Sequence, residues 1–506
     1  MGPSIRILLK LSFALALSAS AANITQYELK IVPDFAKKSV HIRASISLDR
    51  CEYDKELSFR LGNTFRVQSA ELDSHPARFR HTDDELDVTL PTPQSVHVLK
   101  VELEATPGQS GDDPRAVIDD DSLFLLWSDA WYPLTDTQWS NVRTIVVLPK
   151  EFEVIAPGVQ IARTIHGANA EVIFETHQPT LNFSVFADRR WIRTEYRWQG
   201  EKFITLLHSE SQQYTHKIFA GSSDVLDYFT GLHGYYPFEQ FAFVTMRGIY
   251  ARRAQNGFIA YSPEYLQKEM ARTGYDAHET SLLWWGYATR GDGPGAYQWF
   301  EGLGDYVEIM YSRDTHKPIP AIFDYFRREY LKSDPSQEPP LADLKGNTPQ
   351  PFIHGKYPWL MSALHQELGD PAFRHALKKL FAEYRYRTFT INQFVEVFAA
   401  ENPGNVQRWR YDWLDRTGVP NLDISYTVEP NADHYRILGT ILQRGNLYTL
   451  QVPVWVDLGS SRQLGMCVPI SGASSGFEFS VPQKPLRLLV DPENTLIMRV
   501  DLQSAQ

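Results

Sequence analysis

The chain has 506 residues, of which 43% are hydrophobic, 22% charged and 13% aromatic. This length and composition predict a globular protein of roughly two to four domains and exclude a disordered or fibrous chain. Its 50 basic and 61 acidic side chains leave a net charge of −11. Because such a charge does not attract phosphate backbones, we expect no nucleic-acid partner.

The first 22 residues have the layout of a secretory signal peptide. Arg6 and Lys10 precede the apolar run Leu11–Leu17, and the small residues Ala19-Ser20-Ala21 follow it. This order is typical of a cleaved leader, and the run is too short to cross a bilayer core of roughly 30 Å. We expect residues 1–22 to be removed and the mature protein to be secreted or periplasmic, without a transmembrane segment.

The chain has two cysteines, Cys51 and Cys467. Two are too few for a fold held together by disulfides, so buried cores have to stabilise it. We expect both thiols to be unpaired and buried. A bond between them in an oxidising compartment stays open.

Strand-like alternation begins soon after the leader. Residues 27–188 have an apolar period of two, which is clearest from Val40 to Leu48. This period is typical of strands that bury one face. We predict an N-terminal antiparallel β domain over residues 23–195.

The apolar period changes in the middle of the chain. Helical spacing predicts helices over Tyr357–Leu368 and Ala372–Tyr386, with a strand over Phe241–Met246 nearer the start. Proline and acidic residues between Lys332 and Pro351 predict a long loop. We predict a mainly helical domain over residues 196–422.

Alternation returns in the last part of the chain. Apolar residues at every second position from Tyr448 to Leu458, and again from Phe477 to Val481, predict short strands. Residues 423–506 are therefore predicted to form a small β-sandwich. The predicted fold class is α+β and multidomain, with a β domain on each side of the helical middle.

The most informative segment of the middle region combines a histidine, two glutamates and a Trp-Trp-Gly run at fixed spacing. It begins with His278-Glu279, continues to Trp284-Trp285-Gly286, and is followed by Glu301-Gly302. In the pattern H-E-x-x-H, two imidazoles one helical turn apart reach one ion, and the glutamate acts as a general base. Here Leu282 stands at the second histidine. Eighteen residues separate that position from Glu301, where a third, carboxylate ligand would lie.

These residues resemble the active-site helices of aminopeptidase N-type gluzincins, the zinc metallopeptidases of peptidase family M-one. The family pattern is H-E-x-x-H, eighteen residues, then Glu, with Trp-Trp-Gly after the second His. Seven positions here fall in register with the family: His278, Glu279, Trp284, Trp285, Gly286, Glu301 and the following Gly302. The predicted order of regions also resembles the first three domains of the family. The resemblance implies a thermolysin-like middle domain, His278 and Glu301 as zinc ligands, and Glu279 as general base.

Two further motifs of the family have counterparts in this chain. The G-x-M-E-N loop, whose glutamate binds the free amine of the peptide, corresponds to Arg253-Ala254-Gln255-Asn256, so Gln255 and Asn256 are the implied substrate-binding residues. The Tyr-x-Lys-Gly motif, whose phenol stabilises the oxyanion, aligns with His354-Gly355-Lys356-Tyr357. The resemblance therefore implies His354 or Tyr357 as the oxyanion donor.

Three changes separate this chain from the family pattern. Leu282 has no lone pair for a metal, Gln255 lacks the charge of the amine-binding glutamate, and His354 stands in place of the tyrosine. Because these changes affect three separate parts of one mechanism, we expect zinc binding and hydrolysis to be lost. The favoured interpretation is an exported aminopeptidase-like protein whose cleft binds peptides or protein N-termini.

Two alternatives stay open from the sequence. In the first, another residue or a water completes the zinc shell and Glu279 still deprotonates metal-bound water, so the protein is an active aminopeptidase. In the second, the fold serves only as a structural or assembly module. Zinc content and hydrolysis of aminoacyl substrates distinguish the active enzyme from the other two interpretations.

Overall fold

The computed structural model describes residues 23–49, 56–90, 97–106, 116–136, 138–247, 252–272, 276–293, 296–334, 338–344, 350–459 and 461–504. The predicted signal peptide and Cys51 lie outside these ranges. The chain divides into two compact units, Met1–Thr289 with Tyr384–Thr388 and Arg290–Glu383 with Phe389–Gln506. The predicted domain borders after residues 195 and 422 stay predictions.

The first part of the first unit is built from strands. They are β1 Asn23–Asp34, β2 Ser39–Asp49, β3 Glu56–Arg60, β4 Phe65–Leu72, β5 His75–Pro76, β6 Phe79–Thr82, β7 Glu85–Thr89, β8 Val98–Ala105, β9 Val117–Ile118, β10 Ser122–Leu125, β11 Asn141–Pro149, β12 Glu153–Ile155, β13 Val159–His166, β14 Asn169–Glu175 and β15 Val185–Asp188. The largest sheet has the order β13-β14-β11-β1-β2-β8-β4-β5, and β1 and β11 run parallel in it. Smaller sheets have the orders β12-β15-β10-β9 and β3-β7-β6.

The alternation read from the sequence matches the burial in β2. Val40, Ile42, Ala44 and Ile46 are all buried, and the polar residues between them face away from the core. One buried and one exposed face is the arrangement that a period of two predicts. The predicted N-terminal β-rich region is confirmed.

A five-stranded sheet follows in the same unit. Its strands are β16 Ile192–Trp198, β17 Glu201–Leu207, β18 Gln240–Thr245, β19 Arg252–Gln255 and β20 Phe258–Tyr261, in the order β16-β17-β18-β20-β19. The helices of this unit are α1 Thr215–His233, α2 Pro263–Arg272 and α3 Ala277–Leu282. Strands β17, β18 and β20 are parallel, and β19 is an edge strand antiparallel to β20. The apolar core of the β-rich region continues into this sheet through Ile204, Val244 and Phe258.

The second unit begins with a helical region. Its helices are α4 Ala296–Asp314, α5 Ala321–Lys332, α6 Gln350–Leu368, α7 Asp370–Tyr384, α8 Ile391–Ala399 and α9 Pro403–Trp413, and two short strands are β21 Arg290–Gly291 and β22 Thr388–Phe389. The predicted helical middle is confirmed, although α6 begins seven residues before the predicted Tyr357. Helix α7 ends at Tyr384 instead of Tyr386, whose positive φ of 55° is not helical. In the described ranges, no helix is both long enough and apolar enough for a bilayer.

Two sheets form the end of the second unit. The strands are β23 Asn421–Asn431, β24 His434–Gln443, β25 Leu450–Asp457, β26 Arg462–Ile470, β27 Ser474–Val481, β28 Arg487–Val490 and β29 Arg499–Ser504, in the orders β27-β24-β23-β29 and β26-β25-β28. The C-terminal β region is as predicted. Cys467 is exposed on β26, so the prediction of a buried thiol is wrong there, because alternation turns its neighbour Val468 towards the core.

Candidate functional site

Helix α3 carries the first two residues of the zinc-peptidase pattern. Asp276 caps its N-terminus, since Asp276 Oδ1 accepts a hydrogen bond of 2.8 Å from the backbone N–H of Glu279. His278 and Glu279 are 8% and 7% exposed, respectively. The pattern therefore lies at the start of a short, capped and buried helix.

The helix changes its geometry directly after the pattern. Residues Leu283–Ala288 form a π-helix, and the Thr289 N–H donates to the Trp284 carbonyl at 3.0 Å. A π-helix is rare and usually replaces only a single turn of an α-helix. Leu282 is the last α-helical residue, so the position of the second predicted zinc ligand lies at the junction.

The side chain at position 282 offers nothing to a metal. Leu282 is 5% exposed, and its branched hydrocarbon has no lone pair. Within the residues that the structure describes, no group of three or more His, Cys, Asp or Glu side chains is placed to hold a metal ion. These residues do not fit the zinc site that the resemblance implies, since that site takes three protein ligands.

The carboxylate of Glu279 is bound to the edge strand β19. Its Oε2 accepts a hydrogen bond of 2.6 Å from the Ala254 N–H, and its Oε1 lies 3.4 Å from Arg252 Nε. Arg252 also reaches the helix cap, where its Nη1 lies 2.9 Å from Asp276 Oδ2. A general base needs an oxygen that can take a proton from water, and each oxygen of Glu279 already has one protein partner.

Strand β19 lies at the edge of the five-stranded sheet and pairs with β20 on its other side. Outward N–H and C=O groups of an edge strand are the groups to which an extended peptide adds. The Ala254 N–H is one such group, and it is occupied by Glu279. The contacts of α3 therefore cover part of this edge.

Gln255 and Asn256 lie at the end of β19, and each is 2% exposed. The Asn256 Nδ2 donates to the Leu181 carbonyl at 2.8 Å and to Thr180 Oγ1, which fixes the amide in the β-rich region. Gln255 Oε1 and Asn256 Oδ1 are buried and accept no hydrogen bond from the described part of the chain. A buried acceptor without a donor costs about 1–3 kcal/mol. Two buried carbonyl oxygens thus lack a hydrogen-bond donor among the described residues.

The third predicted zinc ligand and the oxyanion candidates belong to the second unit. Glu301 lies in the first half of α4 and is partly buried. One turn further on, Asp305 Oδ2 lies 2.6 Å from Nδ1 of His354 on α6. The His354 ring also packs against Phe326, with a centroid distance of 5.1 Å. These contacts fix the orientation of the imidazole.

Tyr357 lies inside the contact between α4 and α6. A Cβ at Gly302 would lie 2.4 Å from Tyr357 Cβ, so the close approach of the two helices requires glycine there. The phenol oxygen is buried without a hydrogen-bond partner among the described residues, and burial raises the pKa of Tyr357. Of the two implied oxyanion donors, His354 is the one with partial exposure to solvent.

His233, at the end of α1, lies in an aromatic cluster. Its ring stacks on Trp284 at 5.4 Å and meets Trp285 edge-on at 5.0 Å. Its Nδ1 lies 2.8 Å from the Phe229 carbonyl oxygen, and burial lowers the pKa of the imidazole to about 3. Both tryptophans are buried. The cluster is therefore a part of the buried core.

Comparison with known proteins gives matches at the level of structure. No family model matches the sequence, and no curated protein matches it significantly. An M1 zinc metallopeptidase from Deinococcus radiodurans, in a crystal structure of a mutant bound to a Tyr-Ser-Ala substrate, superposes with a TM-score of 0.66 at 14% identity over 79% of this chain and 96% of its own. A crystal structure of M1 zinc metallopeptidase from the same organism gives 0.64 at 14% identity, over 78% and 94%.

The chain has the fold of M1 zinc metallopeptidases. At 14% identity the likeness concerns the fold, and the roles of single residues stay predictions. Along this chain the helical region follows the N-terminal β-rich region and precedes the C-terminal β region, as the sequence predicted.

Two residues that contact the predicted site residues were missed by the sequence reasoning. Arg252, counted back from Gln255, stands at the glycine of the G-x-M-E-N loop, and a long cation in place of glycine was a readable signal. Asp305 lies one helical turn after Glu301, where α-helical spacing places it on the same face. The structure brings Arg252 to Glu279 in the first unit and Asp305 to His354 in the second.

Proposed function

We propose that this protein is an exported M1 metallopeptidase-like protein that binds the N-termini of peptides or proteins and has lost zinc-dependent hydrolysis. The observation that carries the proposal is the position of Glu279, whose oxygens contact the Ala254 N–H and Arg252. Leu282 adds to it, because it removes a metal ligand. The peptide as ligand class is supported by the fold neighbour bound to Tyr-Ser-Ala.

The amide oxygens of Gln255 and Asn256 are the proposed receptors of the peptide amine. An ammonium group has three donors, and these two buried oxygens lack a donor in the described chain. A cationic amine can donate to both oxygens, although a neutral amide binds it more weakly than a carboxylate does.

Calorimetry with the tripeptide Tyr-Ser-Ala and its N-acetylated form tests the binding proposal. We expect the free amine to bind at least about tenfold more tightly, a difference of about 1.4 kcal/mol. The variant Gln255→Leu should lose this preference. The matched control Gln451→Leu, at an exposed position of β25, should keep it. Equal affinity of the two peptides for the unmodified protein contradicts the proposal.

Metal content and hydrolysis are measured on the same preparation. We expect zinc far below one ion per chain and no turnover of aminoacyl chromogenic substrates. Zinc near one per chain with chelator-sensitive turnover would instead establish the active aminopeptidase. Absence of zinc, turnover and peptide binding together would favour the structural or assembly role.

Export is part of the proposal and has its own test. The protein is expressed from its full gene, and the mass of the form outside the cytoplasm is measured. We expect a chain that lacks residues 1–22. A full-length chain that stays in the cytoplasm contradicts export.

A further inference from the structure

Arg252 lies on β19 and contacts two helices of the first unit. From β19 it reaches Asp276 with Nη1 at 2.9 Å and Glu279 with Nε at 3.4 Å, both at the start of α3. Its guanidinium also lies 5.7 Å from the ring centroid of Tyr265 on α2, within the range of a cation–π contact. One cation therefore joins an edge strand to two helices.

The two carboxylates need a positive charge close by. The side chains of Asp276 and Glu279 are only 3% and 9% exposed, and both belong to one helical turn. Removing the ionic partner of a buried carboxylate strongly destabilises the folded protein, and two like charges in one helical turn also repel each other. Because the guanidinium fork presents several donors in one plane, it can engage both acids at once.

We propose that Arg252 is a built-in cation that neutralises Asp276 and Glu279 and holds α3 against β19, so that this part of the fold is stable without a metal ion. The described residues do not fit a zinc site, and the positive charge beside Glu279 comes instead from a side chain of the protein. A covalently attached charge is always present, whereas the effect of a bound ion depends on its concentration. The proposal goes beyond the proposed function, because it holds whether or not a peptide binds.

A double-mutant cycle in thermal unfolding tests the proposal. Arg252→Met should lower the unfolding midpoint by about 5 °C, because it removes the cation that contacts both buried carboxylates. Glu279→Gln should cost less, since its amide oxygen still accepts from the Ala254 N–H. The double variant should recover at least half of the loss caused by Arg252→Met.

The matched control is Arg247→Met. Arg247 pairs with Glu210 on the surface, where both side chains are more than two-fifths exposed, and such pairs contribute little. The unfolding midpoint of the Arg247→Met variant should stay within about 1 °C of that of the unmodified protein. The midpoint of the unmodified protein should also stay within about 1 °C when EDTA or zinc chloride is added.

Two results would overturn the proposal. One is an Arg252→Met midpoint as close to the unmodified protein as that of Arg247→Met, and the other is a clear fall of the unmodified midpoint on addition of EDTA. If Arg252→Met does not fold, Arg252→Lys is compared with Arg252→Gln: the charge proposal requires the lysine variant to be the more stable, and the reverse order contradicts it. None of these readouts involves peptide binding, so failure here is distinct from failure of the proposed function.

Discussion

His354 Nδ1 lies 2.6 Å from Asp305 Oδ2, where α6 packs against α4. The Asp305 side chain is buried and the His354 side chain nearly so, so the bond forms in a low-dielectric environment where it is stronger than in water. The pair determines where the imidazole points. Any chemistry of His354 therefore depends on Asp305 as a positioning residue.

The energetic coupling of this pair can be measured. We expect the variants Asp305→Ala and His354→Ala to be non-additive in the free energy of unfolding, with a coupling of about 1.5–3 kcal/mol for a charge-assisted bond. Denaturant unfolding of the two single variants and the double variant gives this value. The exposed pair His375–Glu401, at 2.7 Å, is the control and should give less than about 1 kcal/mol. Additive effects at Asp305 and His354 would argue against the bond.

Tyr357 and Gly302 should respond to substitution in opposite ways. Tyr357→Phe removes a buried hydroxyl that has no partner in the described chain, so the free energy of unfolding should stay equal or rise by about 1 kcal/mol. Gly302→Ala forces a methyl group against the Tyr357 side chain and should cost about 1–3 kcal/mol. Urea unfolding checks both. A large loss in Tyr357→Phe would show that the phenol has a partner.

Restoring the second histidine should not restore an enzyme. We expect Leu282→His to raise zinc uptake, because a second imidazole then lies one helical turn from His278. Hydrolysis of aminoacyl substrates should stay low until Arg252→Gly releases Glu279 and Gln255→Glu restores the amine-binding charge. The control Leu282→Asn is polar but a poor zinc ligand, and it should leave zinc uptake unchanged. High turnover from Leu282→His alone would refute this prediction.

His233 should make the protein less stable in acid. Burial lowers the pKa of the folded imidazole to about 3, below the value of about 6.5 expected in the unfolded chain. Between these values the unfolded state binds a proton that the native state does not bind. The free energy of unfolding should therefore fall with falling pH, by up to about 1.4 kcal/mol for each pH unit.

The variant His233→Phe isolates this contribution. It keeps an aromatic ring beside Trp284 and removes the titrating group, so other acidic groups contribute equally to both proteins. Urea unfolding at several values between pH 7.5 and 4.5 gives the difference in slope. Parallel stability curves for the two proteins would rule out the effect.

The sequence predicted the elements with periodic burial and missed those set by tertiary contacts. Alternation from Val40 to Leu48 placed β2 correctly, because successive side chains of a strand point to opposite faces and the apolar ones mark the buried face. Arg252 on β19 pairs with Glu279 on α3, and helix α2 lies between them in the sequence. No fixed sequence spacing encodes such a contact. The π-helix after Leu282 has no composition signal either. The motif therefore located the candidate site, whereas only the structure showed that contacts of α3 cover part of the edge strand β19.

The N-terminal β-rich region and the five-stranded sheet share one apolar core, and this affects how the first unit unfolds. Trp191 Nε1 donates to the Thr245 carbonyl at 2.6 Å, and the His208 imidazole contacts Asp188 at 3.0 Å and Thr245 at 2.8 Å. A chain shortened to begin at residue 196 would lose Trp191 and Asp188. His208 would then lack the carboxylate of Asp188, and apolar residues of the shared core would be exposed to solvent. The strands of the N-terminal β-rich region and the five-stranded sheet that contains β19 are therefore expected to unfold as one cooperative unit. Replacing either of them with the corresponding segment of a related protein should destabilise the chain unless both are replaced together.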